Sequence, residues 1–236
     1  MTAADRSDRN PHHVIVIASG GLDSTVLAYW LRAHGASLTL LAFDYGQRHR
    51  VELDHAAEIA RLLQARHEMV DLSGLGGLLA GSALTDATVP VPDGHYTAES
   101  MRATVVPNRN AIMLDVAVAA AITTKADAVA FGAHAGDHAI YPDCRREFVE
   151  SFARSTRMAN EGFLADGFRV LAPFLDHSKT DIVRLGATLD VPFAGTWSCY
   201  RDGTLHCGRC GTCTERQEAF QQAGVADPTD YLWHRR

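Results

Sequence analysis

The chain alternates short apolar runs with longer stretches whose apolar positions recur every three or four residues. Residues 13–18, HVIVIA, are a β-branched run ending in Ser-Gly-Gly, the pattern of a buried strand. Residues 23–32 follow with Val26, Leu27, Trp30 and Leu31 at helical spacing. A second strand is predicted at 37–43, stopped by Asp44-Tyr45-Gly46. A helix is predicted at 50–63, burying Leu53, Ala56, Ala57, Ile59, Ala60 and Leu63, and a third strand at 67–72. This strand-helix rhythm predicts a doubly wound α/β fold, a mostly parallel sheet with helices on both faces.

Residues 73–103 break the rhythm: they are rich in Gly, Pro, Ser and Thr and hold no sustained period. A connection of about thirty residues is too long for a plain link and predicts a functional or mobile loop. Beyond it the pattern predicts a short extended piece at 104–107, a deeply packed alanine-rich helix at 110–124 and a strand at 128–132. A helix at 146–162, a strand at 168–171 and a helix at 179–189 follow. A cysteine cluster then precedes a short helix at 214–223 and a polar tail. The division expected is an α/β domain over 13–195 and a small metal-binding segment over 196–232.

Composition narrows the class. Apolar residues are 47% of the 236, enough for a packed core. The formal charge of −6 argues against a protein that coats nucleic acid, which carries a basic stripe. No apolar run reaches the roughly 20 residues a membrane helix needs, and residues 1–13 lack the apolar core of a signal peptide. The expectation is a cytoplasmic protein that binds neither membrane nor nucleic acid directly.

The sharpest local motif is Ser19-Gly20-Gly21-Leu22-Asp23-Ser24-Thr25, after Ala18 at the end of the first strand and ahead of a helix. Two glycines let the backbone turn tightly and approach an anion. The helix start aims free N–H groups and its positive dipole end at the same point, and the hydroxyls add donors. The motif reads as a phosphate cradle, without the Walker or dinucleotide spacing. An ordinary capped βα turn remains the alternative.

Four of the five cysteines, Cys199, Cys207, Cys210 and Cys213, fall within fifteen residues. Four thiolates at this spacing suit a closed tetrahedral Zn²⁺ site, structural because no position is left open. An iron–sulfur cluster, an unmetallated cluster and a nucleic-acid-binding ribbon are the alternatives. A third group, Tyr141-Pro142-Asp143-Cys144-Arg145 after His134-Ala135-Gly136-Asp137-His138, follows the fourth strand, where open α/β sheets place ligands. A metal-binding helix pair of His134 and His138 is disfavoured by Gly136 and Pro142, and Cys144 reads as a small packed residue.

The first loop resembles the pyrophosphate loop of the ATP pyrophosphatase (PP-loop) superfamily, and the later motifs narrow the resemblance. Asp44-Tyr-Gly-Gln-Arg-His49, Val106-Pro-Asn-Arg109-Asn110, Tyr141–Arg145, Lys179, Thr196-Trp-Ser-Cys199-Tyr200, the Cys207–Cys213 run and Asp227-Pro-Thr-Asp-Tyr231 follow in the order of the 7-cyano-7-deazaguanine synthase family. The resemblance covers about residues 13–232, with one departure at Gly136-Asp137-His138-Ala139-Ile140.

That resemblance implies an adenine nucleotide alpha hydrolase-like fold. It also implies an ATP- and Mg²⁺-dependent ligase that turns 7-carboxy-7-deazaguanine and ammonia into a nitrile, with no protein nucleophile. Ala18, Ser19, Gly20, Gly21, Leu22, Asp23, Ser24 and Thr25 would hold the ATP phosphates, with Asp23 also on Mg²⁺. Lys179 and Arg109 would neutralise charge at the α-phosphate, Asp143 would read the guanine edge, and Arg145 would pair the substrate carboxylate. The resemblance also implies a homodimer, with contacts from 73–103 or the C-terminal segment. An amide-forming offshoot, an ATP sensor and a zinc-ribbon adaptor are the competing readings.

Overall fold

A computed structural model describes residues 10–95, 97–138 and 141–233. The start of the N-terminal segment, the end of the polar tail, and Ala139 and Ile140 of the departing run lie outside the described residues.

Five parallel strands form one sheet in the order β3-β2-β1-β4-β5: β1 (His13–Ile17), β2 (Ser37–Asp44), β3 (Arg66–Asp71), β4 (Ala128–Ala130) and β5 (Arg169–Leu171). The helices are α1 (Leu22–Ala33), α2 (Val51–Leu62), α3 (Ala98–Arg102), α4 (Arg109–Thr124), α5 (Arg146–Ala159), α6 (Lys179–Thr188) and α7 (Gly211–Ala223). Strand side chains alternate between faces, so β1 sends Val14 and Val16 into one core and Ile15 into the other, all fully buried. The first core takes Leu27 and Leu31 of α1, Ile59 of α2, Ile182 of α6 and Phe220 of α7. The second takes Met113, Leu114 and Ala117 of α4 and Val149 of α5. The apolar runs read as strands are therefore central strands covered on both faces.

Two expectations are corrected and one is filled in. Residues 104–107 form no strand; they turn between α3 and α4. The long connection holds a short turn of 3-10 helix (Ser73–Leu78) as well as α3. In α2 the buried stripe is rotated: Ala57 is exposed and Glu52 is buried. Gln47 holds Glu52 inside by donating from Nε2 to its Oε1 at 2.9 Å, a bond with no signature in apolar periodicity.

Chain order reverses at β1. The chain runs outward from β1 to β2 and β3, then returns to β4 on the other side of β1. The carboxyl ends of β1 and β4 therefore splay their loops apart, and such a switch point is where open α/β sheets form their ligand crevice.

Candidate active site

The cleft lies at that switch point. Its walls include Ala18, Ser19, Gly21, Asp23 and Ser24 after β1, Tyr45 after β2, His134 and Asp137 after β4, Arg109 and Asn110 of α4, Lys179 of α6, and Glu215 of α7.

The loop after β1 is built from the backbone upward. Gly20 has φ +69°, and a Cβ there would lie 2.6 Å from the Ala56 amide nitrogen and 2.9 Å from the His55 Cβ. Only glycine lets the loop lie this close on α2. The Gly20 carbonyl accepts the Trp197 amide at 2.9 Å, which ties the loop to the C-terminal segment. Gly21 is the residue before α1, and the Ser19 and Ser24 hydroxyls lie 3.2 Å apart. The first amides of α1 have no acceptor within the helix, so this end offers donors to an anion. Leu22 and Thr25 are buried beneath the loop, and with Gly20 they shape it without lining the cleft.

Lys179 opens α6, whose start is fixed by a reciprocal cap: the Asp181 amide donates to the Ser178 hydroxyl and the Ser178 amide to the Asp181 carboxylate. The Lys179 ammonium is 3.0 Å from Asp23 Oδ2 and 2.9 Å from Glu215 Oε2. Burial acts to lower its pKa, but the Asp23, Glu215 and Asp137 carboxylates outweigh it and hold the ammonium well above its usual value. Asp137 is also raised, but by burial, which disfavours its charged form against the opposing pull of His134 and Lys179. His134 Nδ1 accepts the Gly136 amide at 3.1 Å, so Nε2 carries the proton and faces Asp23 and Asp137 at 3.9 and 3.8 Å. His134 and His138 flank a turn of 3-10 helix (Ala135–Asp137). Asp23 Oδ1 is buried without a hydrogen-bond partner while its Oδ2 meets Lys179. An orphaned carboxylate oxygen beside a phosphate-type loop fits a hard cation.

The other lobe is aromatic. Arg109 donates from Nη1 to the Tyr45 hydroxyl at 3.2 Å, and Tyr141 and Tyr200 complete the wall. Burial pushes Tyr45 up to about 12, opposed chiefly by Arg109. Thr104 donates its hydroxyl proton to the Met101 carbonyl, so its oxygen accepts from Tyr141 at 2.7 Å. Cys144 is buried, which pushes its thiol up, and the Asn110 amide group reaches its sulfur at 3.2 Å.

Asp143 and Arg145 do not line the cleft. Asp143 Oδ2 accepts the Asn110 amide at 3.2 Å, in the first turn of α4. Arg145 is exposed and donates from Nε to the His138 carbonyl at 2.8 Å. Sequence reasoning missed Glu215; an acid two residues past the last cysteine is its sole signal.

Cys199, Cys207, Cys210 and Cys213 are all buried, with sulfurs within 4.8 Å of one another. Among the described residues no other group of three or more His, Cys, Asp or Glu side chains converges in this way. Backbone amides support the sulfurs: Arg201 and Cys207 donate to Cys199 Sγ at 3.4 Å each, and Cys210 donates to Cys207 Sγ at 3.2 Å. Such bonds favour thiolate, the form that binds metal. Four sulfurs close a tetrahedron, which suits Zn²⁺ or another thiophilic ion. Helix α7 begins three residues earlier than the apolar pattern predicts: Cys210 precedes its first residue and Cys213 lies in its first turn. The cluster thus sets the helix that carries Glu215 into the cleft.

Sheet order, the glycine loop after β1 and the cleft at the switch point define a PP-loop type of α/β fold. The model of the family described as "Queuosine biosynthesis protein QueC" matches residues 13–224, so this chain belongs to that family. It is 58% identical over 217 residues to a 7-cyano-7-deazaguanine synthase of Rhizobium meliloti (strain 1021), covering 92% of this chain and 91% of the relative. It is 56% identical over the same length, with the same coverage, to the protein of that name from Rhizobium etli (strain CIAT 652). The fold is shared with an NMN synthetase from Francisella tularensis, with a TM-score of 0.51 at 16% identity over 95% of this chain and 77% of that one. No helix of the described residues is long and apolar enough to cross a membrane.

Proposed function

We propose that this chain uses ATP to convert 7-carboxy-7-deazaguanine and ammonia into 7-cyano-7-deazaguanine, in the cytoplasm and as a homodimer. The observation that carries the reading is the joining of two unlike lobes in one cleft. One lobe is a phosphate-type loop with Lys179 between Asp23 and Glu215; the other is an aromatic wall with Arg109.

A carboxylate resists amination because its leaving group would be oxide. Attack of a carboxylate oxygen on the α-phosphorus of ATP releases pyrophosphate and makes AMP the leaving group. Ammonia then displaces AMP and, after losing a proton, gives the amide. Attack of the amide oxygen on a second ATP releases pyrophosphate again, and loss of AMP and two protons leaves the nitrile. The chain's part is to hold charge and exclude water, so no protein nucleophile is required.

Ala18, Ser19, Gly20, Gly21, Leu22, Asp23, Ser24 and Thr25 form the phosphate seat, some by contact and some by shaping the loop. Lys179 meets the charge that builds at the α-phosphate, oriented by Glu215. Mg²⁺ bound through Asp23 would neutralise the triphosphate. The Asn110 amide already engages Asp143, so we assign Asp143 to holding the first turn of α4, with Arg109 and Asn110, against the substrate. Zn²⁺ in the four-cysteine site is proposed as structural, which makes 196–232 a metal-held appendix to the 13–195 domain. Its helix α7 nonetheless shares the first core through Ala219 and Phe220.

The test is pyrophosphate release by purified protein given ATP and Mg²⁺, with and without 7-carboxy-7-deazaguanine. Release that depends on the acid supports the reading; release indifferent to the acid rejects it.

A further inference from the structure

Two arginines compete for the substrate carboxylate, and the structure separates them. Arg145 is exposed, lies outside the cleft wall and spends its Nε on a carbonyl. Arg109 is partly buried in the wall of the aromatic lobe. Its hydrogen bond goes to a phenol, Tyr45, and its guanidinium lies 5.7 Å from that ring's centroid. Among the described residues no ion pair joins it to a carboxylate. Burial acts to lower its pKa, and the oxygens of Tyr45, Tyr200 and Tyr141 act to raise it. These are neutral at physiological pH: burial pushes Tyr45 up to about 12 and raises Tyr200 and Tyr141 as well.

A guanidinium has five donors in a fixed fork and stays charged at any physiological pH. One phenol leaves most of that fork without an acceptor, and three phenols supply no counter-charge. A permanent cation held in a cleft wall with no carboxylate paired to it is costly unless a ligand supplies one. The fork suits a planar carboxylate, and Tyr45, Tyr141 and Tyr200 line the same cleft, where a flat bicyclic ring can pack against them.

We infer that Arg109, in place of Arg145, takes the carboxylate of the deazaguanine acid, and that Tyr45, Tyr141 and Tyr200 receive its ring. The inference rests on the reading under Proposed function and adds the residue that selects an acid over the neutral base. The acid's charge is lost on conversion to the amide, so Arg109 belongs to recognition of the first substrate and not to the nitrile-forming half.

The experiment is calorimetric binding of 7-carboxy-7-deazaguanine, and of 7-deazaguanine without the carboxylate, to the full chain with its metal. The proteins compared are wild type, Arg109→Met, Arg109→Lys and Arg145→Gln. Wild type should prefer the acid. Arg109→Met should weaken acid binding by about tenfold to a hundredfold, the span of a charged hydrogen bond, and move neutral-base binding by less than about threefold. Arg109→Lys should fall between, having the charge without the fork, and Arg145→Gln should keep the preference. The melting temperature of ligand-free Arg109→Met should equal or exceed that of wild type, since a cation without a partner is removed; a structural arginine would lower it.

The assignment is overturned if Arg109→Met binds the acid as wild type does, loses both ligands equally, or melts well below wild type. It is also overturned if Arg145→Gln erases the preference. Wild type that binds neither ligand overturns the functional reading and this assignment together. Wild type that binds the acid but releases no pyrophosphate overturns the functional reading alone.

Discussion

Arg216, in the C-terminal segment, is 1% exposed and makes four hydrogen bonds, one of them to an acid. Its Nη1 reaches the Thr196 hydroxyl at 2.7 Å and the Ser198 hydroxyl at 3.1 Å, its Nη2 the Phe193 carbonyl at 3.0 Å, and its Nε Asp227 at 3.4 Å. Asp227 is held in turn by the Tyr231 hydroxyl at 2.5 Å, and the guanidinium lies 5.0 Å from the Phe220 ring centroid. Arg109, in the cleft, has one phenol and no acid among the described residues. The same side chain is paired with an acid and three further acceptors in one region and has a single acceptor in the other. Asp23 repeats the contrast, with one oxygen on Lys179 and the other buried without a partner. Where internal partners satisfy a buried charge, the charge organises the fold; where they stop short, a ligand's atoms are the missing partners.

The comparison can be broken most forcefully at the cysteines. Stripping the metal with a strong chelator should unfold 196–232 and lower the melting temperature markedly, because a short segment has little core of its own. Acid-dependent pyrophosphate release should fall with it as α7 withdraws Glu215. Unchanged melting after verified metal loss would deny the cluster its structural role. Next in size, Arg216→Ala should cost about 3–5 kcal/mol in denaturant unfolding by stranding Asp227. A loss below about 1 kcal/mol would make the two arginines alike.

Lys179→Ala should leave the fold intact by circular dichroism and cut turnover by about a hundredfold to a thousandfold, the scale for one preorganised charge donor. Normal turnover would reject its assignment. The smallest effect is expected at Tyr45→Phe, which removes the one hydrogen bond Arg109 makes. Acid binding should change by less than about tenfold. A larger loss would mean that Tyr45 reads the ligand itself.

Both the strands and the glycine loop after β1 were legible in the sequence, because burial on two faces demands continuous apolar runs and a tight turn against α2 demands glycine. The cysteine spacing was legible for the same local reason. The Lys179–Glu215 pair was not, since it joins residues 36 apart with no shared period. Nor was the placement of Arg109 in the cleft wall and Arg145 outside it: both sit in motifs of similar character, and the turn that gives Arg145 to the His138 carbonyl separates them. The helix α3 within 73–103 was hidden because its five residues are too few to show a period. The rotation of α2 toward Glu52 depends on Gln47, a side-chain bond that hydropathy does not record.

The most direct test of the account is the mass of the product formed by purified protein from 7-carboxy-7-deazaguanine, ATP, Mg²⁺ and ¹⁵N-labelled ammonium. The account predicts 7-cyano-7-deazaguanine carrying one ¹⁵N, with AMP and pyrophosphate released alongside. An amide that accumulates and goes no further, or a product without the label, would contradict it.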